Sequence, residues 1–377
     1  ELKNQFLLFP NITFFNHGSF GACPKPVFEE YQRWQLELEK QPVQFMCVIL
    51  FPHLEAARNS LGEYVGCLGD DLVFVSNPTM AVNDVMNSLN LQKGDEVLST
   101  DHEYGVLIRA WEKYCDSTES IFIQREIPVP LTSKESFVDF FWEGVNERTK
   151  IIFISQITSS SALIFPVDDI CRRAREAGIL TIIDGAHVPG HIPIDISDLN
   201  PDIYMGACHK WLCAPKGSSF LYVKKELQSS IKPQIVSWGE DGEDPSTSQF
   251  ILDHQWLGTR DMSAYLALPM AIDFLIENKW DTIREEKYQL TTETWKRIQK
   301  ISGTTPLCNN PENWLGLMGS IEVSADSQEL KTTLLNEYNI EIPVFEWKDK
   351  SYIRFSFHMY NNQNDADYLV EVLEKLL

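Results

Sequence analysis

Between residues 72 and 223 the chain repeats one pattern: a short β-prone apolar run, then a polar or amphipathic stretch, then another run. The runs are LVFVS (72–76), EVLST (96–100), SIFIQ (120–124), KIIFIS (150–155), ILTIID (179–184), DIYMG (202–206) and SSFLYV (218–223). Helical patterns separate most of them. In VDDICRRAREAG (167–178), Ile170, Ala174 and Ala177 share a face and Gly178 stops the helix. Strands that alternate with crossover helices predict an α/β fold built on a mainly parallel, doubly wound sheet of seven strands. The seventh run follows the sixth too closely for a helical crossover, so it is expected to be antiparallel.

After about residue 262 the rhythm changes. Two long helical patterns (262–278 and 281–301) precede short strands at 317–323, 340–345 and 351–357, and DADYLVEVLEKLL (365–377) closes the chain as a helix. A length of 377 residues accommodates this as two domains. The expected division is a large domain over 16–260 and a smaller α+β domain over 261–377, with segment 1–15 joining the small one.

Composition excludes several classes of partner. Acidic residues outnumber basic ones, for a net charge of −22, which disfavours nucleic acid and anionic membrane. No apolar run approaches the roughly 18 residues that span a bilayer, and no signal-peptide pattern opens the sequence. The eight cysteines are scattered without a CxxC pair, which suits a reduced, cytoplasmic setting. There is no GxGxxG after a strand and no GxxxxGK[ST]. His187 and His191 are four apart, but Pro189 and Gly190 between them argue against a shared helical face and a zinc site, so no metal is expected.

In an open parallel sheet, ligands sit beyond the carboxyl ends of the strands. Three polar points fall there. Asn77-Pro78-Thr79 follows the first run and opens a helix, Asp184 ends the fifth, and His209-Lys210 lies just past the sixth. Lys210 has apolar and aromatic flanks in CHKW, and desolvation there would lower its pKa and make the amine nucleophilic, as Schiff-base chemistry requires. The cofactor that matches is pyridoxal 5′-phosphate. Its ring nitrogen calls for a carboxylate such as Asp184. Its phosphate calls for the backbone N–H groups of a helix N-terminus, which SNPTMAVND (76–84) supplies together with the Thr79 hydroxyl. Each part has a plainer reading alone: Asp184 as a turn residue, Lys210 as a surface lysine, Thr79 as a helix cap. Jointly, in this order at strand ends, the plain readings lose.

The segments NHGSFGACPKPV (16–27), STDHEY (99–104), ITSSSALIFPVDDI (157–170), DGAHVPG (184–190), CHKWLCAPKGSSFLYV (208–223), LGTRD (257–261) and IRFSFHMYN (353–361) together resemble the class V aminotransferases. These are fold-type I pyridoxal-phosphate enzymes, and the similarity is to their isopenicillin N epimerase-like branch. The resemblance spans nearly the whole chain. It implies that Lys210 holds the cofactor as an aldimine, that Asp184 pairs with the pyridine nitrogen and that His187 lies near the ring hydroxyl. By the same resemblance His209 reaches the phosphate, beside Thr79 and Pro78, and Gln156 donates to the ring hydroxyl. Tyr104 takes the place of the residue stacked on the ring, with His102 as the alternative in another register. Thr259 would reach the phosphate of the neighbouring subunit, which places the site at a homodimer interface. Arg354 would clamp the carboxylate of a small amino-acid-like substrate, with Asn16 and His17 bordering the pocket.

The desulfurases of this family carry a nucleophilic cysteine on a loop shortly before the carboxylate-binding arginine. Here that region reads EIPVFEWKDKSYIR (341–354), without one, and Cys308 upstream reads as a packing residue. Persulfide transfer is therefore not expected. From an α-carbanion, epimerisation, C–S lysis and transamination remain open. A binding protein that kept the fold and lost the chemistry is the competing class, against which Lys210, Asp184 and Thr79 all stand intact.

Overall fold

The computed structural model describes residues 2–240 and 248–377; Glu1 and 241–247, within the expected N-terminal segment and large domain, lie outside the described residues. Seven strands form the central sheet: β1 Leu72–Val75, β2 Glu96–Thr100, β3 Ile121–Arg125, β4 Thr149–Ser155, β5 Leu180–Gly185, β6 Ile203–Ala207 and β7 Ser219–Val223. Their order is β1-β7-β6-β5-β4-β2-β3. All neighbouring pairs are parallel except those of β7, which runs antiparallel to both β6 and β1. Two reversals restore direction, so β1 points the same way as β6 and delivers Asn77 to the same edge as Asp184 and Lys210.

The near-continuous apolar character of the runs has a direct cause. Alternate side chains enter two separate cores, one on each face. Leu72, Phe74, Leu98, Ile152, Ile154, Ile183 and Tyr204 face one, while Val73, Val75, Val97, Ile151, Phe153, Ile182 and Met205 face the other. Exposed positions are confined to β3, at the edge, and to Lys150 near the start of β4.

Helices α1 Lys25–Lys40 and α2 Leu50–Val65 precede the sheet, and α3 Pro78–Ser88, α4 Gly105–Thr118, α5 Lys134–Trp142 and α6 Val167–Ala177 lie between its strands. Helix α6 ends at Gly178 in the left-handed region (φ 69°), as read from sequence. Its buried face is Val167, Ile170, Cys171 and Ala174, whereas Ala177 is exposed, because the helix has turned past the sheet by its last residue.

The C-terminal part contains α7 Leu268–Glu277, α8 Trp280–Ser302, α9 Ser327–Tyr338 and α10 Gln363–Leu376 around a three-stranded antiparallel sheet. Its strands are β8 Met318–Val323, β9 Val344–Trp347 and β10 Lys350–Ser356, in the order β9-β10-β8. The strand expected over 340–345 is broken by Pro343, which has no N–H to give a ladder. Ile340–Glu341 instead pairs in parallel with Thr13–Phe14 near the N-terminus. The Phe15 carbonyl accepts from Ser356 N, and Gly18 N donates to the Ser356 hydroxyl, so the N-terminal strand is stitched to β10. Among the described residues no helix is long and apolar enough to cross a membrane.

Candidate active site

A cavity of about 180 Å³ opens at the carboxyl ends of the parallel strands. Lys210, Asp184, His187, His209, Tyr104 and the Asn77-Pro78-Thr79 turn all line it. Residues as far apart in sequence as Asn77 and Lys210 meet here because strand direction carries each to one edge.

Asp184 ends β5 beside Ser155 of β4. Its Oδ1 accepts from Ala186 N at 2.9 Å, the only hydrogen bond to this carboxylate among the described residues. Burial pushes its pKa up; that backbone bond and then Lys210 oppose the shift. Lys210 stands on the tight loop after β6, where Cys213 N donates back to the Lys210 carbonyl. Burial brings its amine down to about 8, with Asp184 opposing and Arg354 reinforcing the shift. The residue is partly exposed and lines the cavity.

Lys210 Nζ lies 3.1 Å from Nε2 of His187. The indole N–H of Trp211, which can only donate, points at His187 Nδ1 at 3.4 Å. That assigns the imidazole proton to Nε2, facing the lysine, and disfavours a charged ammonium there. Burial holds His187 well below the ordinary histidine range, with Lys210 next in importance. His209 donates through Nδ1 to the Ser218 carbonyl at 3.0 Å, leaving Nε2 as its remaining ring nitrogen. Burial lowers it to about 4.

Helix α3 is capped by the Asn77 side chain, which accepts from Met80 N at 3.0 Å. Thr79 is therefore not the cap, and its plainer reading falls. Tyr104 is 44% exposed at the start of α4. The alternative, His102, is fully buried away from the cavity, with Nδ1 on the Ser161 hydroxyl at 2.7 Å and Trp347 against its ring.

Arg354, on β10, is 7% exposed. Nη1 donates to the Ser159 carbonyl (2.6 Å) and hydroxyl (3.0 Å), and Nη2 to the Ser19 hydroxyl (2.9 Å). Ser19 and Ser159 both line the cavity. No carboxylate pairs with this guanidinium among the described residues, so the plain reading of a surface ion pair does not hold. Burial lowers its pKa to about 10, with Tyr104 opposing.

Five residues expected at the site do not line this cavity: Arg354, which reaches it through Ser19 and Ser159, then His17, Asn16 and Gln156, and Thr259, which was expected at the neighbouring subunit's phosphate. His17 is wholly buried behind Lys210 rather than bordering the pocket, because both of its ring nitrogens are bonded in the interior. Asn16 also lies outside the cavity lining, its Oδ1 buried without a partner. Gln156 is likewise absent from the lining, and its Oε1 accepts from the Tyr204 hydroxyl at 2.8 Å. Thr259 is exposed and lines no part of the cavity within one chain.

Sequence reasoning missed Glu103. It is almost fully buried, with Oε1 accepting from the Thr100 hydroxyl (2.6 Å) and Oε2 from Ser155 N (2.9 Å) and the Ser155 hydroxyl. Between a histidine and a tyrosine in STDHEY, a glutamate reads as a solvent-facing residue; nothing in the local pattern marks it. Ser19, Phe20, Leu107, Ser155, Ile157, Ser159 and Ala186 complete the lining and were also unassigned.

An amine of lowered pKa, a buried carboxylate with a free oxygen and a helix N-terminus around one cavity define a site for covalent catalysis through an aldehyde cofactor. The family model for aminotransferase class V matches residues 46–369. Over its full length the chain is similar to isopenicillin N epimerase of Amycolatopsis lactamdurans, 32% identical over 99% of this chain and 97% of that protein. It is 27% identical to a probable chloroplastic L-cysteine desulfhydrase of Arabidopsis thaliana, over 100% of this chain and 86% of that protein. The fold matches that of the cystine C–S lyase C-DES in complex with cysteine persulfide, with a TM-score of 0.80 at 21% identity over 97% of this chain and 98% of that one. The chain belongs to the class V aminotransferase family. It is a pyridoxal-5′-phosphate-dependent enzyme of the fold-type I α/β architecture. The cavity suits that group on its own evidence: it brings together an amine, an under-bonded carboxylate and the first turn of a helix at Thr79, and among the described residues no acid neutralises the arginine bonded to its Ser19 and Ser159.

Proposed function

We propose that the protein transforms a small α-amino acid at its α-carbon, with epimerisation as the first reading. The observation that carries this is a lysine amine in the cavity lining together with a buried arginine that has no acid partner among the described residues and donates to Ser159 and Ser19 of the same lining. Pyridoxal phosphate, when bound, supplies the aldehyde and the electron sink for the α-carbon. Lys210 would hold it covalently, Asp184 would keep its ring nitrogen protonated, and Tyr104 would cover one face of the ring. Thr79, Pro78 and His209 would receive the phosphate, with Thr259 contributed from a second copy. Arg354 would orient the substrate carboxylate through its two terminal nitrogens. Lys210 Nζ would also serve as the base for the α-proton, with His187 at 3.1 Å setting its protonation. His17, Asn16 and Gln156 are assigned to support of these groups rather than to substrate contact.

β-Elimination of a sulfur substituent is the second reading, favoured by relatives such as the hercynylcysteine sulfoxide lyase of Schizosaccharomyces pombe, 25% identical over 99% of this chain. No cysteine lines the cavity, which fits loss of sulfur as a small product better than its transfer to the protein. We further take the working unit to be a cytoplasmic homodimer, with residues 16–260 as the cofactor domain, 261–377 as the small domain and 1–15 joined to the latter.

An amino-acid panel scored at once for inverted enantiomer, for pyruvate with sulfide, and for keto acid with aminated cofactor separates the three fates. Borohydride reduction of the purified protein should fix the cofactor to Lys210, and Lys210→Ala should abolish the label. Cofactor bound without turnover of any substrate would leave a binding protein instead.

A further inference from the structure

Within the segment NHGSFG (16–21), Ser19 and Phe20 line the cavity, whereas His17 and Gly21 pack against the peptide of Lys210. His17 Nε2 lies 3.0 Å from the Lys210 carbonyl and Nδ1 lies 2.9 Å from the Tyr360 hydroxyl. A carbonyl can only accept, so the imidazole proton is on Nε2, and Nδ1 then accepts from Tyr360. The ring has no solvent exposure; it stacks on His358 with centroids 3.9 Å apart and 13° between planes, and leans on Trp211 at 5.2 Å. At the other end of the segment, Gly21 adopts φ 69°, and a Cβ there would fall 2.2 Å from the His209 carbonyl oxygen and 2.7 Å from that of Lys210. Only glycine fits. Lys216 Nζ donates to the Gly21 carbonyl at 3.1 Å and closes the loop from behind.

We propose that His17 and Tyr360 are positioning residues for Lys210: a two-bond relay from the C-terminal part of the chain that fixes the peptide from which the reactive amine projects. This rests on the reading of Lys210 as the group that holds the cofactor. A lysine amine stands at the end of a flexible four-carbon stem, so a small rotation of its peptide is magnified at Nζ. Tolerance for such groups is about 0.5 Å, and a displacement of 1 Å costs up to roughly 100-fold in rate. The Lys210 carbonyl already accepts from Cys213 N at 3.0 Å, which sets the loop; the His17 proton adds a second donor from outside it. Tyr360 is what keeps that proton on the correct nitrogen, since its hydroxyl donates into Nδ1. Cys213 and His358 crowd the same ring, with Cys213 Sγ 4.0 Å from His17 Nε2. The commitment of that Nε2 proton to the carbonyl makes them packing neighbours of His17 rather than fellow ligands of an ion.

The test compares His17→Gln, which keeps a donor in reach of the carbonyl, His17→Leu, which keeps bulk alone, and Tyr360→Phe, which removes one oxygen. Each full-length protein is stripped of cofactor with a competing amine. Its rate of pyridoxal phosphate capture is then followed by absorbance, alongside kcat, KM and the melting temperature. We expect Tyr360→Phe and His17→Leu to slow capture and lower kcat roughly tenfold with KM little changed, and His17→Gln to recover to within about threefold of the parent. Capture at the parental rate by Tyr360→Phe and His17→Leu would overturn the relay. So would equal losses in His17→Gln and His17→Leu that track a fall in melting temperature. Should His17→Leu fail to fold, Tyr360→Phe decides alone. If the parent protein itself captures no cofactor, or Lys210→Ala forms the same covalent adduct, the underlying assignment of Lys210 fails instead.

Discussion

Lys210 and His187 meet nitrogen to nitrogen at 3.1 Å, with the His187 proton turned towards the amine by the Trp211 indole. An ammonium ion has no lone pair to accept that proton, so the contact favours the free base. Burial acts in the same direction and brings the amine to about 8 from 10.5. The deprotonated amine is the nucleophile, so capture of pyridoxal phosphate by the stripped protein should rise with pH, reach half its maximum near 8 and then level off. Asp184 holds the Lys210 pKa up and Arg354 holds it down. Asp184→Asn should therefore move the midpoint below 8 and Arg354→Gln should move it above. A midpoint near 10, or shifts of the opposite sign, would contradict this electrostatic account.

Arg354 makes its hydrogen bonds to Ser159 and Ser19, neutral groups that leave its charge uncompensated in the interior. A bound carboxylate would supply the missing charge through a bidentate contact. Arg354→Gln is expected to lower kcat/KM for an amino acid roughly 100-fold. The loss should be far smaller for the matching amine that lacks the carboxylate, which never used the contact. Steady-state kinetics on such a pair, with the same side chain, reads the difference directly. Equal losses for both would place Arg354 in the scaffold alone.

The strands were legible because each is an apolar run with polar ends, and a sheet buried on both faces demands that pattern. Asp184, Lys210 and Thr79 were legible because they interrupt it at strand ends, and all three line the cavity. What sequence could not show was direction. His17 and Asn16 lie next to Ser19 and Phe20, which do line the site, yet the one-turn helix His17–Phe20 sends the histidine inward to Lys210 O and Tyr360. Glu103 stayed hidden for a related reason: its partners Thr100 and Ser155 belong to adjacent strands, and only the β2–β4 pairing brings them together.

Thr259 is exposed and does not line the cavity of its own chain, and it was expected at the phosphate of a neighbouring subunit. Phe20, in the cavity lining, is 69% exposed, and Trp238, beyond the short helical turn Lys225–Ser230 that follows β7, is 79% exposed. Large apolar side chains left in water at this density fit an interface between copies. Light scattering is expected to give twice the 43.3 kDa mass of one chain. Trp238→Glu should shift the protein towards one chain, and cofactor affinity should fall with it if Thr259 serves the neighbouring site. A monomeric parent with full cofactor occupancy would remove Thr259 from the site.

Glu103 sits under the cavity with three donors on its carboxylate and Asp184 close enough to oppose its charge. Burial is the largest influence and raises its pKa to about 8 from 4.5; the bonds from Ser155 and Thr100 pull the other way without overcoming it. Linkage then fixes the sign. Between pH 4.5 and 8 the folded state holds a proton that the unfolded chain has released, so this residue makes folding less favourable as pH rises through that window. Above 8 the cost is complete and constant. Glu103→Gln keeps an acceptor for Ser155 and cannot ionise, so it should lose nothing over the same window. The melting temperature of Glu103→Gln relative to the parent is therefore expected to be higher at about pH 8.5 than at about pH 5. A difference that is the same at both values, or larger at the acidic end, would mean that Glu103 is ionised in the folded protein throughout, held so by its three donors.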